Sequence, residues 1–237
     1  MKVDLHVHTN HSPDALHDLT TMIRRAKHVG LHAIAITDHN KLLSTTKARQ
    51  LTKEHGILVI PGIELGKRKY LRHILGLNIS HIPTCDQPAD ILDFIKDEGG
   101  ISIAPHPYSR IGFRNYHTLP FHAVEAHNGI NRLCNLRFRQ QRRIAEVAGS
   151  DAHAAYMLGY TWTNTEPADT IDDLLEHIRH GHCHPAGHSV PAYRLLQVST
   201  TLSLRYAIRK LTFRRPTISL EDVFYLPYIG AWAHTDG

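Results

Sequence analysis

The chain has 237 residues, 42% of them apolar and 21% charged, which suits one α/β domain and excludes wholesale disorder. Its formal charge is +5 and its sequence pI about 9.2, which favours anionic partners without choosing among phosphorylated metabolites, nucleic acid and membrane surface. No apolar run approaches the ~18 residues of a membrane span, MKVDLHVHT lacks the regions of a secretory leader, and the dispersed Cys85, Cys134 and Cys183 give neither a disulfide framework nor a thiolate metal site, so a cytoplasmic protein is expected.

Val3 to His8 alternates as a short strand. Leu19, Met22, Ile23, Ala26 and Val29 then repeat at helical spacing across Asp18 to Val29, with Gly30 as the stop. His32 to Thr37 is apolar and strand-like, Ser44 to His55 reads as a helix ended by Gly56, and Ile57 to Ile63 as a buried strand. His73 to Leu77 predicts another strand, Pro88 to Glu98 a helix, Ile101 to Ala104 a short strand and Ala123 to Ala126 a weak one. Asn131 to Val147 is expected to form one long basic helix, Ala148 to Ser150 a strand end, and Thr170 to His180 a helix. This alternation gives an α/β class with a mostly parallel sheet, and roughly seven strand–helix units before residue 190 favour barrel closure over a doubly wound sheet. Residues 1–189 are thus expected to form the barrel, and 190–237, which break the pattern, an extension packed on it or a separate small module.

The 21 histidines matter through their positions. His6 and His8 stand two apart at the end of the first strand and face the same way. His39 follows the second strand, Glu64 ends the third, His73 starts the next, His106 follows Ile101 to Ala104, and Asp151 and His153 close the series, again two apart. A lone HxH, TDH or DxH is more often coincidence or a surface pair than a metal site. Their recurrence at successive strand ends carries the inference, because in a parallel barrel those ends meet on one face. Imidazoles and carboxylates without thiolate suit Zn, Mn or Fe. Asp38, beside His39, has the place of a carboxylate that orients a ligand ring rather than a ligand.

These motifs resemble the PHP (polymerase and histidinol phosphatase) family. The matching stretches are Asp4-Leu5-His6-Val7-His8-Thr9 with Ser12-Pro13-Asp14, Ile36-Thr37-Asp38-His39, Ile60-Pro61-Gly62-Ile63-Glu64, His73-Ile74-Leu75-Gly76, Ala104-Pro105-His106-Pro107, Val124-Glu125-Ala126-His127-Asn128-Gly129 and Gly149-Ser150-Asp151-Ala152-His153. The resemblance implies a distorted (β/α)7 barrel and a centre of three divalent ions. The first would take His6, His8, Glu64 and Asp151. The second would share Glu64 and add His73 and His106, and the third would take Asp14, His39 and His153. Asp14 stands one residue later than the acid of the family's SDG motif, which leaves His11 and His17 as alternatives.

Such a centre suits phosphate-ester hydrolysis by a metal-activated water. Asp38, Glu64 and His153 are the expected catalytic residues, with His153 or a water giving the leaving oxygen its proton. Arg110, Arg114, Tyr108 and Asn128 are expected to hold substrate, with Phe113 and Tyr116 available to stack on a ring; an ordinary surface loop is the bland alternative. The arginines at 132, 137, 139, 142 and 143 read as a solvated helix face. The basic and apolar stretch from Tyr193 to Arg215 is either a helix capping the barrel or an amphipathic helix on an anionic membrane. The expected substrate is a small phosphomonoester, bisphosphate or nucleotide-like phosphodiester. Histidinol phosphate, or single-stranded nucleic acid cleaved from its ends, are the alternatives, and a non-catalytic metal-stabilised scaffold is disfavoured by the intact ligand set.

Overall fold

The structure is a computed structural model and describes residues 1–66, 72–138 and 144–211. Its strands are β1 (Lys2–Val7), β2 (Ala33–Ile36), β3 (Leu58–Leu65), β4 (Ile74–Leu77), β5 (Ile101–Ala104), β6 (Ala123–Asn128), β7 (Ala145–Gly149), β8 (Thr161–Thr165) and β9 (Cys183–Gly187). Its α-helices are α1 (Leu19–His28), α2 (Thr45–His55), α3 (Pro88–Asp97), α4 (Arg132–Arg137), α5 (Ile171–Arg179) and α6 (Ala192–Leu211). Local chemistry explains several boundaries. Asp18, Ser44 and Thr170 cap α1, α2 and α5 by accepting from the backbone N–H three residues on. Gly56 ends α2 in the left-handed conformation that a Cβ disfavours.

The strands form one sheet in the order β7-β6-β5-β4-β3-β2-β1-β8-β9. Neighbours are parallel except at β3–β4, β4–β5, β1–β8 and β8–β9, so only β4 and β8 run against the rest. The sheet curls into a nearly closed barrel. The end of β7 returns to β1, where Asp151 N donates to His6 O at 2.8 Å and His8 N to Ala152 O at 3.0 Å. Gly149 permits that approach, since a Cβ there would lie 2.5 Å from the His6 Cβ and 2.4 Å from Glu125 Oε1. Leu174, Leu175 and Ile178 of α5 share a core with Val3, Leu5, Ile60, Leu75, Ile103 and Val147, so one helix draws strands from around the barrel together. Met22, Ile23 and Leu51 of α1 and α2 form a second core with Ile34 and Ile36, and Val198 and Leu202 of α6 join it.

One expectation is corrected here. The long helix over 131–147 is not formed: α4 stops at Arg137 and Ala145 to Val147 belong to β7, while Arg139, Arg142 and Arg143 lie outside the described residues. The reason is tertiary, since Val147 is wholly buried in the core that also holds Val3 and Leu5, and Ala145 to Gly149 pair in parallel with β6. The pair β8–β9 has no signal in the sequence, because Thr161–Thr165 is polar apart from Trp162 and offers no apolar run. Arg214 and Arg215 also lie outside the described residues.

Candidate metal centre

The strand ends converge as the motif positions require. Glu64, near the end of β3, occupies the middle of the cluster. Its carboxylate oxygens lie 2.6 Å from His73 Nδ1, 3.0 Å from His39 Nδ1, 3.3 Å from His106 Nε2, 3.4 Å from His8 Nε2 and 3.5 Å from His6 Nε2. Asp151 Oδ1 lies 3.5 Å from His6 Nε2 and 3.4 Å from His8 Nε2. Asp14 Oδ2 lies 3.3 Å from both His39 Nε2 and His153 Nε2. His73 reaches the cluster from the start of a strand rather than its end, and it can do so because β4 is antiparallel to both neighbours. The TDH turn is drawn in by backbone pairing of His39 with Glu64.

The far nitrogen of several rings is held from behind, which turns the other nitrogen inward. His6 Nδ1 lies 3.1 Å from Glu125 Oε1, His106 Nδ1 2.9 Å from Ser109 Oγ, His8 Nδ1 3.3 Å from Ser12 Oγ, and His153 Nδ1 2.8 Å from Asp151 O. Glu125 does more than hold His6, for its Oε2 accepts from His106 N and from Asn128 Nδ2, both at 2.8 Å. His106 (φ 30°) and Asp151 (φ 54°) adopt left-handed backbone, an uncommon conformation for such residues that the surrounding bonds hold in place.

The clustered groups shift one another's protonation. Burial pushes the His6 and His39 imidazoles down, but Asp151, Glu64 and Glu125 around His6, and Asp14 and Glu64 around His39, outweigh it and hold both well above the ordinary value. Burial also opposes the proton on His153, yet Asp14 and Asp151 raise its pKa to about 9. His8 goes the other way, to about 4, through burial and the positive charges of His153 and His39. His73 is likewise lowered by burial, against the pull of Glu64. Burial works against ionisation of Glu64, Asp14 and Asp151, and the surrounding rings reverse it and hold all three well below the carboxylate range.

Not every expected residue joins the cluster. Asp38 touches none of the clustered rings. It accepts from Thr9 N (2.7 Å), Thr9 Oγ1 (2.6 Å) and Ser12 Oγ (2.7 Å), and so acts on His8 only through the Ser12 hydroxyl, which also accepts from His39 N. Asn128 is buried, with Nδ2 donating to Glu125 and Asp151 and Oδ1 accepting from Ile130 and Asn131, which makes it part of the frame rather than a substrate contact. Phe113 and Tyr116 are buried in the core with Phe121 and cannot stack on a ligand. Tyr108 is half-buried with its ring edge-on to Phe138, while Arg110 and Arg114 are exposed. His11 is 62% exposed and His17 accepts from Ala155 N, so Asp14 is the residue that meets His39 and His153. Glu125 holds two of the expected ligands, yet it lies buried inside β6, where no spacing in the sequence announces its partners.

Divalent cations fit this donor set. His8, His39 and His153, then His6, His8 and Asp151, and then His39, Glu64 and His73 each bring three ligand atoms within 4.8 Å of one another. Asp14 Oδ1 is buried with no hydrogen-bond partner, and His6 Nε2 and His8 Nε2 face each other at 3.1 Å. Lone pairs so crowded need positive charge among them.

Comparison with known proteins agrees. The PHP domain family matches residues 4–183. An uncharacterized protein of Methanocaldococcus jannaschii is 36% identical over 122 residues, covering 47% of this chain and 70% of that one. A two-domain protein from Bacteroides vulgatus containing a predicted PHP-like metal-dependent phosphoesterase superposes with a TM-score of 0.60 at 19% identity, over 79% of this chain and 65% of that one. Endonuclease Q, solved with a 27-mer duplex bearing an abasic lesion at its active site, superposes with a TM-score of 0.59 at 14% identity, over 79% of this chain and 60% of that one. At those identities the two structures speak for the fold, while the family match spans most of the sequence motifs and the strands that deliver them. The chain belongs to the PHP domain family.

Proposed function

We propose that this chain is a metal-dependent hydrolase of phosphate esters, acting on a small phosphomonoester or a nucleotide-like phosphodiester or bisphosphate, with residues 1–189 as its catalytic unit. The observation that carries this reading is Glu64, a single carboxylate within 3.5 Å of five imidazoles, flanked by Asp151 on one side and Asp14, through His39, on the other. His6, His8, Glu64 and Asp151 form the first ligand group, Glu64, His73 and His106 the second, and Asp14, His39 and His153 the third, for three Mn, Zn or Fe ions. Bound there, such ions supply Lewis-acid polarisation of a phosphoryl group and water acidic enough to ionise near neutral pH. The chain's part is to aim the rings through Glu125, Ser109 and Ser12, and to keep the carboxylates ionised. Three divalent ions against three carboxylates leave a positive excess that draws the phosphate dianion. His153, at 15% exposure, stands toward the open side of its group. When the third group is not loaded, a proton held at its Nε2 against Asp14 can pass to the leaving oxygen. Arg110 and Arg114 lie on the exposed loop after β5, which is tied to the centre by His73 N donating to Ile111 O, and they are assigned to the substrate's anionic end.

The test is a panel of phosphomonoesters, bisphosphates and 5′-labelled oligonucleotides assayed with Mn, Zn and Fe. Turnover of a small phosphate ester that depends on added metal and is lost on chelation is expected. No hydrolysis of any phosphate ester with any of the metals would sink the reading. A second reading, cleavage of nucleic acid, draws on the Endonuclease Q likeness and on the exposed Arg132 and Arg137 of α4. Salt separates the two. A strand-tracking enzyme neutralises many phosphates and loses affinity steeply as salt rises. A metabolite enzyme engages one or two phosphates buried where salt screens poorly, and its KM should move little between low and physiological salt.

A further inference from the structure

Asp38 is 4% exposed and accepts hydrogen bonds from Thr9 N, Thr9 Oγ1 and Ser12 Oγ, none of them a clustered ring. The bond from Thr9 Oγ1, at 2.6 Å, uses the one proton of that hydroxyl. Thr9 Oγ1 also lies 2.9 Å from His11 Nδ1. With its proton committed to Asp38, the hydroxyl has only a lone pair to offer there, so His11 Nδ1 carries a proton and donates it. Asp38 thus governs the His11 ring through one hydroxyl, with its own Oδ2 3.9 Å from Nδ1. A carboxylate placed behind an imidazole fixes the tautomer and orientation of the ring and leaves the other nitrogen for proton transfer. Among the described residues no group bonds His11 Nε2, and the side chain is 62% exposed.

The loop after β1 sets where that nitrogen stands. Thr9 follows the proposed ligand His8. Ser12 Oγ lies 3.3 Å from His8 Nδ1 and accepts from His39 N, and Asp14 meets His39 and His153. Thr9, Ser12 and Asp14 are all buried, so the loop turns them inward and presents His11 at the rim of the same mouth. Lys41, just beyond the TDH turn, donates to the His11 carbonyl and ties the two loops together.

A loaded centre still needs a proton for the leaving oxygen. His153 has none to give once it is a ligand, because a ligating imidazole is neutral and binds through a lone pair. We propose that His11 is the general acid for the leaving oxygen, with Thr9 and Asp38 as its positioning residues. This rests on the phosphate-ester reading above. The bond from phosphorus to the leaving oxygen breaks with its electron pair on that oxygen, and the proton on Nε2 of the doubly protonated His11 ring moves to it. The attacking water forms the new bond to phosphorus and releases a proton to solvent, from which His11 Nε2 is protonated again.

The experiment compares His11→Gln, Thr9→Val and Thr9→Ser with the parent on 4-nitrophenyl phosphate and glycerol 2-phosphate. The first probe has a weakly basic leaving oxygen that departs without a proton, and the second a strongly basic one. His11→Gln should lose about 100-fold in kcat on glycerol 2-phosphate, as removal of a general acid does, and little on 4-nitrophenyl phosphate. Its metal content should equal the parent's. Thr9→Val should show the same selectivity to a lesser degree, and Thr9→Ser, which keeps the hydroxyl, should behave as the parent. Independently of turnover, nitrogen NMR of the zinc-loaded protein should find the neutral His11 ring protonated on Nδ1, the minority tautomer of a free imidazole. Thr9→Val should lose that preference. Equal losses on both probes, or none on either, would overturn the assignment. So would a neutral ring protonated on Nε2, or a fall in metal content, which would make His11 a ligand. A parent that hydrolyses 4-nitrophenyl phosphate but no alkyl phosphate has no general acid and overturns it too, whereas a parent inactive on every phosphate ester sinks the reading beneath it.

Discussion

Replacing Glu64 by Gln keeps the shape of the side chain and removes its charge, which separates the two things that residue does. Five rings within 3.5 Å depend on that charge. Glu64→Gln should therefore fold but lose bound metal and activity together, read by metal analysis and turnover on one preparation. Near-normal values of both would remove Glu64 from the centre of the site. Glu125→Gln is expected to be milder. It weakens the grip on His6 Nδ1 and His106 N without altering a ligand, and loss of such a support typically costs about 10–100-fold in metal affinity. An unchanged affinity in a metal-competition titration would show that the two rings hold their orientation without it. His153 carries a pH signature. In the metal-free protein its pKa stands near 9, above its ordinary 6.5, through Asp14 and Asp151 acting against burial. A group raised in this way stabilises the fold fully below its unfolded value and loses that contribution as pH rises through its folded one. The chelated protein should thus lose melting temperature between about pH 6.5 and 9, and His153→Asn should flatten that loss.

On the scale of elements, α6 is the clearest case of one helix with two environments. Leu202 lies in the core at 9% exposure and Leu204 faces out at 61%, two residues along the same helix. Leu202→Ala should cost about 2 kcal/mol or more, as truncation of a packed side chain does, whereas Leu204→Ala should change the unfolding midpoint little. Equal effects in denaturant titrations would mean that the outer face is covered. The junction of β7 with β1 is the second case. A methyl at Gly149 would meet His6 Cβ at 2.5 Å and Glu125 Oε1 at 2.4 Å, and neither can retreat without releasing the other. Gly149→Ala should lower stability by about 1–3 kcal/mol and lower metal content with it, while a variant that keeps its metal would show that the junction can give way.

Taken as a whole molecule, the barrel is a device for bringing distant residues to one mouth, and the metal-free form balances its carboxylates with protons on His6, His39 and His153. Metal loading at neutral pH must displace those protons, because a ligating imidazole is neutral. Titration in weakly buffered solution should show proton release that accompanies metal uptake, and apparent affinity should fall as pH falls. Uptake without proton release would mean that the carboxylates, not the rings, dominate binding. The sequence by itself determined most of this centre. Each proposed ligand adjoins a strand or a turn with a readable signature, and spacing of two on β1 and before His153 already fixes a shared face. It also determined most elements, since the caps at Asp18, Ser44 and Thr170 and the stop at Gly56 act locally. What depends on contacts between distant segments was decided only in three dimensions. The antiparallel course of β4 turns His73 inward from a strand's beginning. The core draws in Phe113 and Tyr116 and leaves them no ligand to stack on, and Glu125 and Asn128 spend their polar atoms on residues up to 119 positions away. Burial and long-range pairing are properties of the folded chain, and no local pattern of side chains encodes which face of α6 the barrel covers.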